Sequence, residues 1–366
     1  MKSDDKKHVL FRADGSSKLG TGHIMRCLTF AQWLKKNGVP SALVMKDYDR
    51  NIVGLSRSFN CKVETISRSC SFKEDANITK AFADRYRADV IISDMNNTDT
   101  LTRVKEYEEY LEILKNDNKF SIVIDGFGNE CISAKTRILS DITVIPYFGS
   151  EGGIYMSCDK IQYLLGPKYF IFREEFRKVI KIKRKIEKNA NNILVTMGGS
   201  DPFKITIKVA NALSRMNKPF LNLKVVLGPA FDSQAKKEVK AILEKFKGCY
   251  KIIENCNNMA KLMLWSDLAI INGGLTKYET AITGTPTLVI SHSEAEEGIM
   301  KDFQKGGSTV HLGYAKNIKE SAICECVEEL LGSSALRKKM SEKGRSIVDG
   351  KGADRIISRI PKELLK

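Results

Sequence analysis

The stretch FRADGSSKLGTGHIMRCLTFAQWL (11–34) gathers Arg12, Asp14, glycines at 20 and 22, His23 and Arg26 near the start of the chain. An imidazole is the side chain whose ordinary pKa, about 6.5, lies nearest neutrality, so His23 is the candidate general base. Asp14, two residues past Arg12, is the candidate to orient that base or a water, or else it caps the loop. Arg12 and Arg26 are candidates to hold an anion. Gly20 and Gly22 permit tight backbone and close approach of a ligand, and a helix starting near His23 would present unpaired amides at the positive end of its dipole. The spacing is neither the G-x-x-x-x-G-K-[ST] of a phosphate loop nor the G-x-G-x-x-G of a dinucleotide site, so alone it specifies no ligand. Two further glycine loops, TMGGSDP (196–202) and INGGLTKYET (271–280), offer Gly199, Ser200, Gly273, Gly274 and Thr276 as amide-rich nests for phosphate. Glu279, three residues after Thr276, is either the second half of a capping box or an acceptor for a cis-diol.

These residues need elements to hold them. HVLFRAD (8–14) reads as a strand, 22–38 as a helix ending at Gly38, and PSALVMK (40–46) as the next strand, one βαβ unit. ADVIISD (88–94), FSIVIDG (120–126) and DITVIPY (141–147) continue the alternation, which predicts a parallel sheet covered on both faces. The charged run 177–192 is expected to be a linker or an exposed helix. NNILVTM, LNLKVVL, CYKIIEN, LAIINGG and PTLVISH then announce a second series. The expected fold class is α/β: two Rossmann-like domains facing across a cleft, over 1–172 and 191–366, with 173–190 between them. All three glycine loops follow strands, where open α/β sheets bind their ligands.

Composition narrows the partners. At 366 residues the chain exceeds the roughly 250–300 that one core supports. The net charge of +16 is spread rather than clustered in a nucleic-acid motif, so we expect no nucleic acid; solvated lysine faces and some steering of an anionic substrate account for it. Nine cysteines form no C-x-x-C pair and no zinc spacing, which favours reduced thiols and no metal site. MKSDDKKH lacks the apolar core of a signal peptide, and no run of about 18 apolar residues occurs, so no membrane span and a cytoplasmic location are expected. No cofactor is implied, and a monomer or weak oligomer is expected.

The block R-x-D…G-x-G-H-x-x-R, the segment GPKYFIFREEF, TMGGSDP and INGGLTKYETAITGTPTLVIS together resemble the UDP-sugar hydrolases of pseudaminic acid synthesis and their spore-coat-polysaccharide relatives. The resemblance covers roughly residues 8–310. It implies the GT-B architecture of two Rossmann-like domains, related to the N-acetylglucosaminyltransferase that completes the cell-wall lipid precursor. It also implies metal-independent, inverting hydrolysis of UDP-2,4-diacetamido-2,4,6-trideoxy-β-L-altropyranose to UDP and free sugar. On that pattern His23 is the catalytic histidine, Gly20 and Gly22 its loop, and Gly199, Ser200, Gly273, Gly274, Thr276 and Glu279 the uridine diphosphate side. Two stretches depart from the family: SHSEAEEG (291–298) stands where relatives carry an amide pair, bringing His292, Ser293, Glu294 and Glu297 to the rim, and IDGFGNE (124–130) where relatives often carry paired aspartates. The alternative is a GT-B glycosyltransferase, in which the same histidine deprotonates an acceptor hydroxyl.

Overall fold

The computed structural model describes residues 7–16, 19–59, 61–95, 103–124, 139–152, 162–254 and 256–365. It divides into two compact units, residues 1–172 with 351–366, and residues 173–350. The first holds β1 (Val9–Ala13), β2 (Ser41–Lys46), β3 (Lys62–Ile66), β4 (Val90–Asp94), β5 (Phe120–Ile124), β6 (Ile142–Ile145) and β7 (Gln162–Leu165). They form one sheet in the order β3-β2-β1-β4-β5-β6-β7. The second holds β8 (Asn192–Thr196), β9 (Asn222–Leu227), β10 (Cys249–Glu254), β11 (Leu268–Asn272), β12 (Thr287–Ser291) and β13 (Thr309–Tyr314), ordered β10-β9-β8-β11-β12-β13. Every strand pair is parallel. Both sheets reverse their strand order beside the first strand, between β1 and β4 and between β8 and β11. That reversal is the Rossmann switch point, where a crevice opens at the strands' carboxyl ends. The chain therefore has two Rossmann-like units, as the alternation of its apolar runs predicts.

Burial explains the runs. On β1, Leu10 joins Phe72, Tyr107, Tyr110 and Leu114 on one side of the sheet, while Phe11 meets Phe30 of the helix Gly22–Lys36 with ring centroids 5.9 Å apart. Apolar contact on both faces is why such strands read as unbroken hydrophobic stretches. The helix stops where expected, with Lys35 and Lys36 in its last turn and Gly38 at φ +79°. Strands β3, β7 and β13 escaped the sequence reading. Each lies at a sheet edge, and β3 buries only Ile66, so its polar KVETI carries little hydrophobic signal.

Two expectations about the domains need correction. Residues 351–366 belong with the first unit, not the second. The helix Gly352–Ile357 lies directly on the segment 169–170: a Cβ on Gly352 would fall 2.2 Å from the carbonyl oxygen of Phe170. The run 173–190 is also no free linker. Arg184 donates to the carbonyls of Met263 and Ser266, Arg345 to those of Ile180 and Ile182, and the buried Arg337 to that of Glu187. Its charges misled because the guanidinium groups that fix its backbone come largely from elsewhere in the unit.

Candidate functional site

The first unit's candidate site forms at its switch point. The loop after β1 closes through a bridge between Ser16 and Gly20, Ser16 N donating to Gly20 O at 3.2 Å, with Gly20 at φ +79°. Gly22 opens the helix Gly22–Lys36, and Thr21 before it makes no side-chain cap, so among the described residues no side chain takes the first-turn amides. His23 lies in that turn, 16% exposed, with its Nδ1 2.7 Å from Asp94 Oδ1. Asp94 ends β4 and sits beside Ala13 in the parallel register. Arg26, one turn after His23, donates from Nε to Asp94 Oδ2 at 2.6 Å and from Nη2 to Oδ1 at 2.7 Å, and it also donates to the Tyr147 hydroxyl.

The electrostatics fix the imidazole's tautomer. Burial disfavours charge on Asp94, but Arg26 and His23 outweigh it and hold the carboxyl down at about 2. An ionised Asp94 can only accept, so the hydrogen sits on His23 Nδ1 and the lone pair on Nε2. Among the described residues none hydrogen-bonds Nε2. This is the arrangement of a general base held by a carboxylate.

The structure separates residues that the sequence had grouped. Asp14 does not orient His23. Its two oxygens take Arg12 Nη1 and Nη2 at 2.7 and 2.9 Å, and Oδ1 also takes the Lys46 amide at 2.7 Å. Arg12 is wholly buried between Asp14 and Asp75, with Nε donating to Asp75 Oδ1 at 2.8 Å and Nη2 to Oδ2 at 2.6 Å, so it is no ligand contact. Arg26, 4% exposed, likewise serves Asp94 rather than an external anion. Asp94 was missed because nothing in ADVIISD marks its last residue. Pairing β4 beside β1, which the switch-point topology implies, would have pointed to it.

In the second unit, TMGGSDP follows β8 and INGG follows β11, again at the switch point. Asn272 joins the two loops, its Nδ2 donating to Met197 O at 3.1 Å. Gly198 stands at φ +81°, and Gly199 and Ser200 are half-buried. Asp201 accepts from the amides of Ile205 and Thr206 at 2.9 and 2.7 Å, so the first turn of the helix Ile205–Arg215 is already filled by a carboxylate. The helix Thr276–Thr283 is different: Leu275 precedes it with no side-chain cap. The capping box of Thr276 and Glu279 does not form. Glu279 Oε1 instead accepts from Arg173 Nη2 at 2.9 Å and Nε at 3.3 Å. Gly274 and Thr276 are half-buried at that helix start, where the Lys277 and Tyr278 amides already donate to the carbonyls of Gly274 and Leu275 at 3.4 and 3.0 Å, whereas Gly273 is buried. Glu294 is exposed at the start of the helix Glu294–Lys305. His292 beside it has its Nδ1 2.7 Å from Glu296 Oε2 and stacks on Phe203, ring centroids 5.1 Å apart. Of IDGFGNE, residues 125–130 lie outside the described residues. No group of His, Cys, Asp and Glu among the described residues is arranged to hold a metal ion, and no described helix is long and apolar enough to cross a membrane.

Comparison with known proteins adds to this geometry. No family model matches the chain. An uncharacterized protein of Methanocaldococcus jannaschii is 32% identical over 308 residues, covering 83% of this chain, which spans 59% of that protein's length. The spore coat polysaccharide biosynthesis protein SpsG of Bacillus subtilis is 27% identical, over 96% of this chain and 97% of its own. Among solved structures, MurG of Acinetobacter baumannii superposes with a TM-score of 0.70 at 14% identity, over 97% of this chain and 99% of its own. The glycotransferase of kitacinnamycin gives 0.64 at 11%, over 97% and 99%. The UDP-GlcNAc 2-epimerase of Neisseria meningitidis, bound to UDP-GlcNAc, gives 0.60 at 15%, over 96% and 98%. At these identities the likeness to solved structures is one of fold.

Proposed function

We propose that this chain catalyses substitution at the anomeric carbon of a UDP-linked sugar during surface polysaccharide biosynthesis, with UDP as leaving group and His23 as general base. The observation that carries the proposal is the 2.7 Å contact of His23 Nδ1 with Asp94, which leaves Nε2 to take a proton from the nucleophile. Support for the nucleotide comes from the amides of Gly274 and Thr276 at the start of the helix Thr276–Thr283, which make no hydrogen bond among the described residues and suit a diphosphate, and from Glu279, whose Oε2 accepts no hydrogen bond from the described residues and suits a ribose diol. It comes also from the relatives: SpsG is named for spore coat polysaccharide biosynthesis, and a solved structure of the same fold holds UDP-GlcNAc.

UDP departs as an anion, so the second unit has mainly to stabilise developing charge with amides and a helix dipole, while a positioned base contributes about 10²–10⁴-fold. The nucleophile is an acceptor hydroxyl, which makes the enzyme a glycosyltransferase; the glycotransferase of the same fold favours this choice. Water is the second reading, favoured by the intact R-x-D…G-x-G-H-x-x-R block, which resembles the UDP-sugar hydrolases of pseudaminic acid synthesis. Incubating the protein with a panel of UDP-sugars, with and without candidate sugar acceptors, separates them. UDP release that requires an acceptor supports the transferase, and steady release in buffer alone supports the hydrolase. Absence of UDP binding to the protein would remove both.

A further inference from the structure

Lys277 is a buried cation that the chemistry above leaves unused. It stands in the first turn of the helix Thr276–Thr283 and is 4% exposed. Its Nζ donates to the carbonyl oxygen of Gly273 at 2.7 Å and lies 5.5 Å from the ring centroids of both Tyr278 and Phe303. From the helix Glu294–Lys305, Glu296 presses on the same loop: a Cβ on Gly273 would lie 2.6 Å from Glu296 Cγ and Cδ. Glu296 accepts the His292 amide at 2.7 Å and touches the His292 ring. The ammonium has three protons, and among the described residues a single hydrogen bond, to a loop carbonyl, is seen for it.

We propose that Lys277 is a positioning residue for the diphosphate of the substrate: it clamps the Gly273 peptide through its carbonyl and places a positive charge beside the loop and helix start whose Gly274 and Thr276 amides receive the anion. This rests on the UDP-sugar reading. A buried charge facing apolar rings has little water to screen it, so it acts on a nearby anion more strongly than a surface lysine would. The same burial is costly to the ammonium and pulls its pKa down to about 8, against the opposing pull of Glu296. The other elements packed on this helix bring their charges elsewhere. Arg173 and Glu175 meet at Glu279, and Arg345 lies at Gly284. An arriving diphosphate favours the protonated amine, so binding takes up a proton above pH 8.

Calorimetric titration with UDP at pH 7, 8 and 9, in two buffers of different ionisation enthalpy, tests this. The wild type is expected to lose roughly tenfold in affinity from pH 7 to 9, because the protonated fraction of the free protein falls about that much across a pKa near 8, and to take up a proton at the upper end. Lys277→Met, which removes a buried charge while keeping an unbranched side chain, is expected to bind more weakly at pH 7 and with the same affinity at all three values. Lys277→Arg, protonated throughout, is expected to bind without the fall at pH 9. A wild-type affinity that does not change from pH 7 to 9, or a Lys277→Met profile matching the wild type, overturns the role of Lys277 and leaves the UDP reading standing. No UDP binding by the wild type at any pH overturns both.

Discussion

At the scale of single residues, the base depends on a carboxylate more than on itself. His23→Ala removes the proton acceptor but no part of the second unit, so kcat is expected to fall about 10²–10⁴-fold with UDP affinity unchanged, read by steady-state kinetics and UDP titration. Asp94→Asn removes the ionised acceptor that holds the hydrogen on Nδ1 and strips Arg26 of its partner. Its kcat is expected to drop by at least about 10²-fold although His23 is intact. The same substitution has a stability signature. Asp94 sits at about 2 when folded and near the ordinary carboxylate value of about 3.9 when unfolded, so its charge favours folding above pH 4, and this contribution disappears as pH falls through 2. It amounts to roughly 2–3 kcal/mol. Denaturant midpoints measured from pH 7 down to 2.5 are expected to fall more steeply in the wild type than in Asp94→Asn; parallel curves would contradict the pairing. His23 was legible in the sequence from its glycines. Asp94 was not, because the contact joins the start of a helix to the end of a strand 71 residues away, and only the order of the sheet brings β4 beside β1.

At the scale of elements, glycines do two different jobs, which composition alone does not distinguish. Gly20 has open space where a Cβ would sit, and its φ of +79° is what an L residue resists. Gly20→Ala is expected to cost roughly 1 kcal/mol, the price of a left-handed residue, with the loop otherwise unchanged. Gly228, after β9, has an ordinary φ but no room: a Cβ would come within 2.4 Å of the carbonyl oxygens of Gly198 and Gly199. Gly228→Ala is expected to cost roughly 1–3 kcal/mol in a urea midpoint and to weaken UDP binding, since the TMGGS loop must move to make space. Unchanged UDP affinity would remove that loop from the nucleotide site. Gly228 was overlooked because VVLGPA reads as an ordinary strand end, and close packing of two backbones leaves no mark in a single sequence. The buried strands beside both loops were legible, since hydrophobic contact on two faces demands an unbroken apolar run. Of the four edge strands only β10 was, through its KII run; β3, β7 and β13 were not.

At the scale of the whole molecule, the chain leaves its first unit after Phe172 and comes back to it at Lys351. Ile356 and Ile360 are buried, Arg355 donates to Lys168 O at 2.7 Å, and Gly352 meets the backbone of Tyr169 and Phe170 at distances no side chain allows. Nothing in GADRIISRIPKELLK announces this, because a short amphipathic segment reads the same whichever core it covers. Gly352→Ala should therefore weaken the first unit, by roughly 1–3 kcal/mol for overpacking, even though residues 173–350 separate it from that unit in sequence. The two tryptophans allow the test, since Trp33 lies in the first unit and Trp265 in the second. With Trp265→Phe as background, fluorescence follows the first unit, and with Trp33→Phe the second. Gly352→Ala is expected to lower the urea midpoint reported by Trp33. A midpoint lowered for Trp265 while that of Trp33 stays fixed would return residues 351–366 to the second unit.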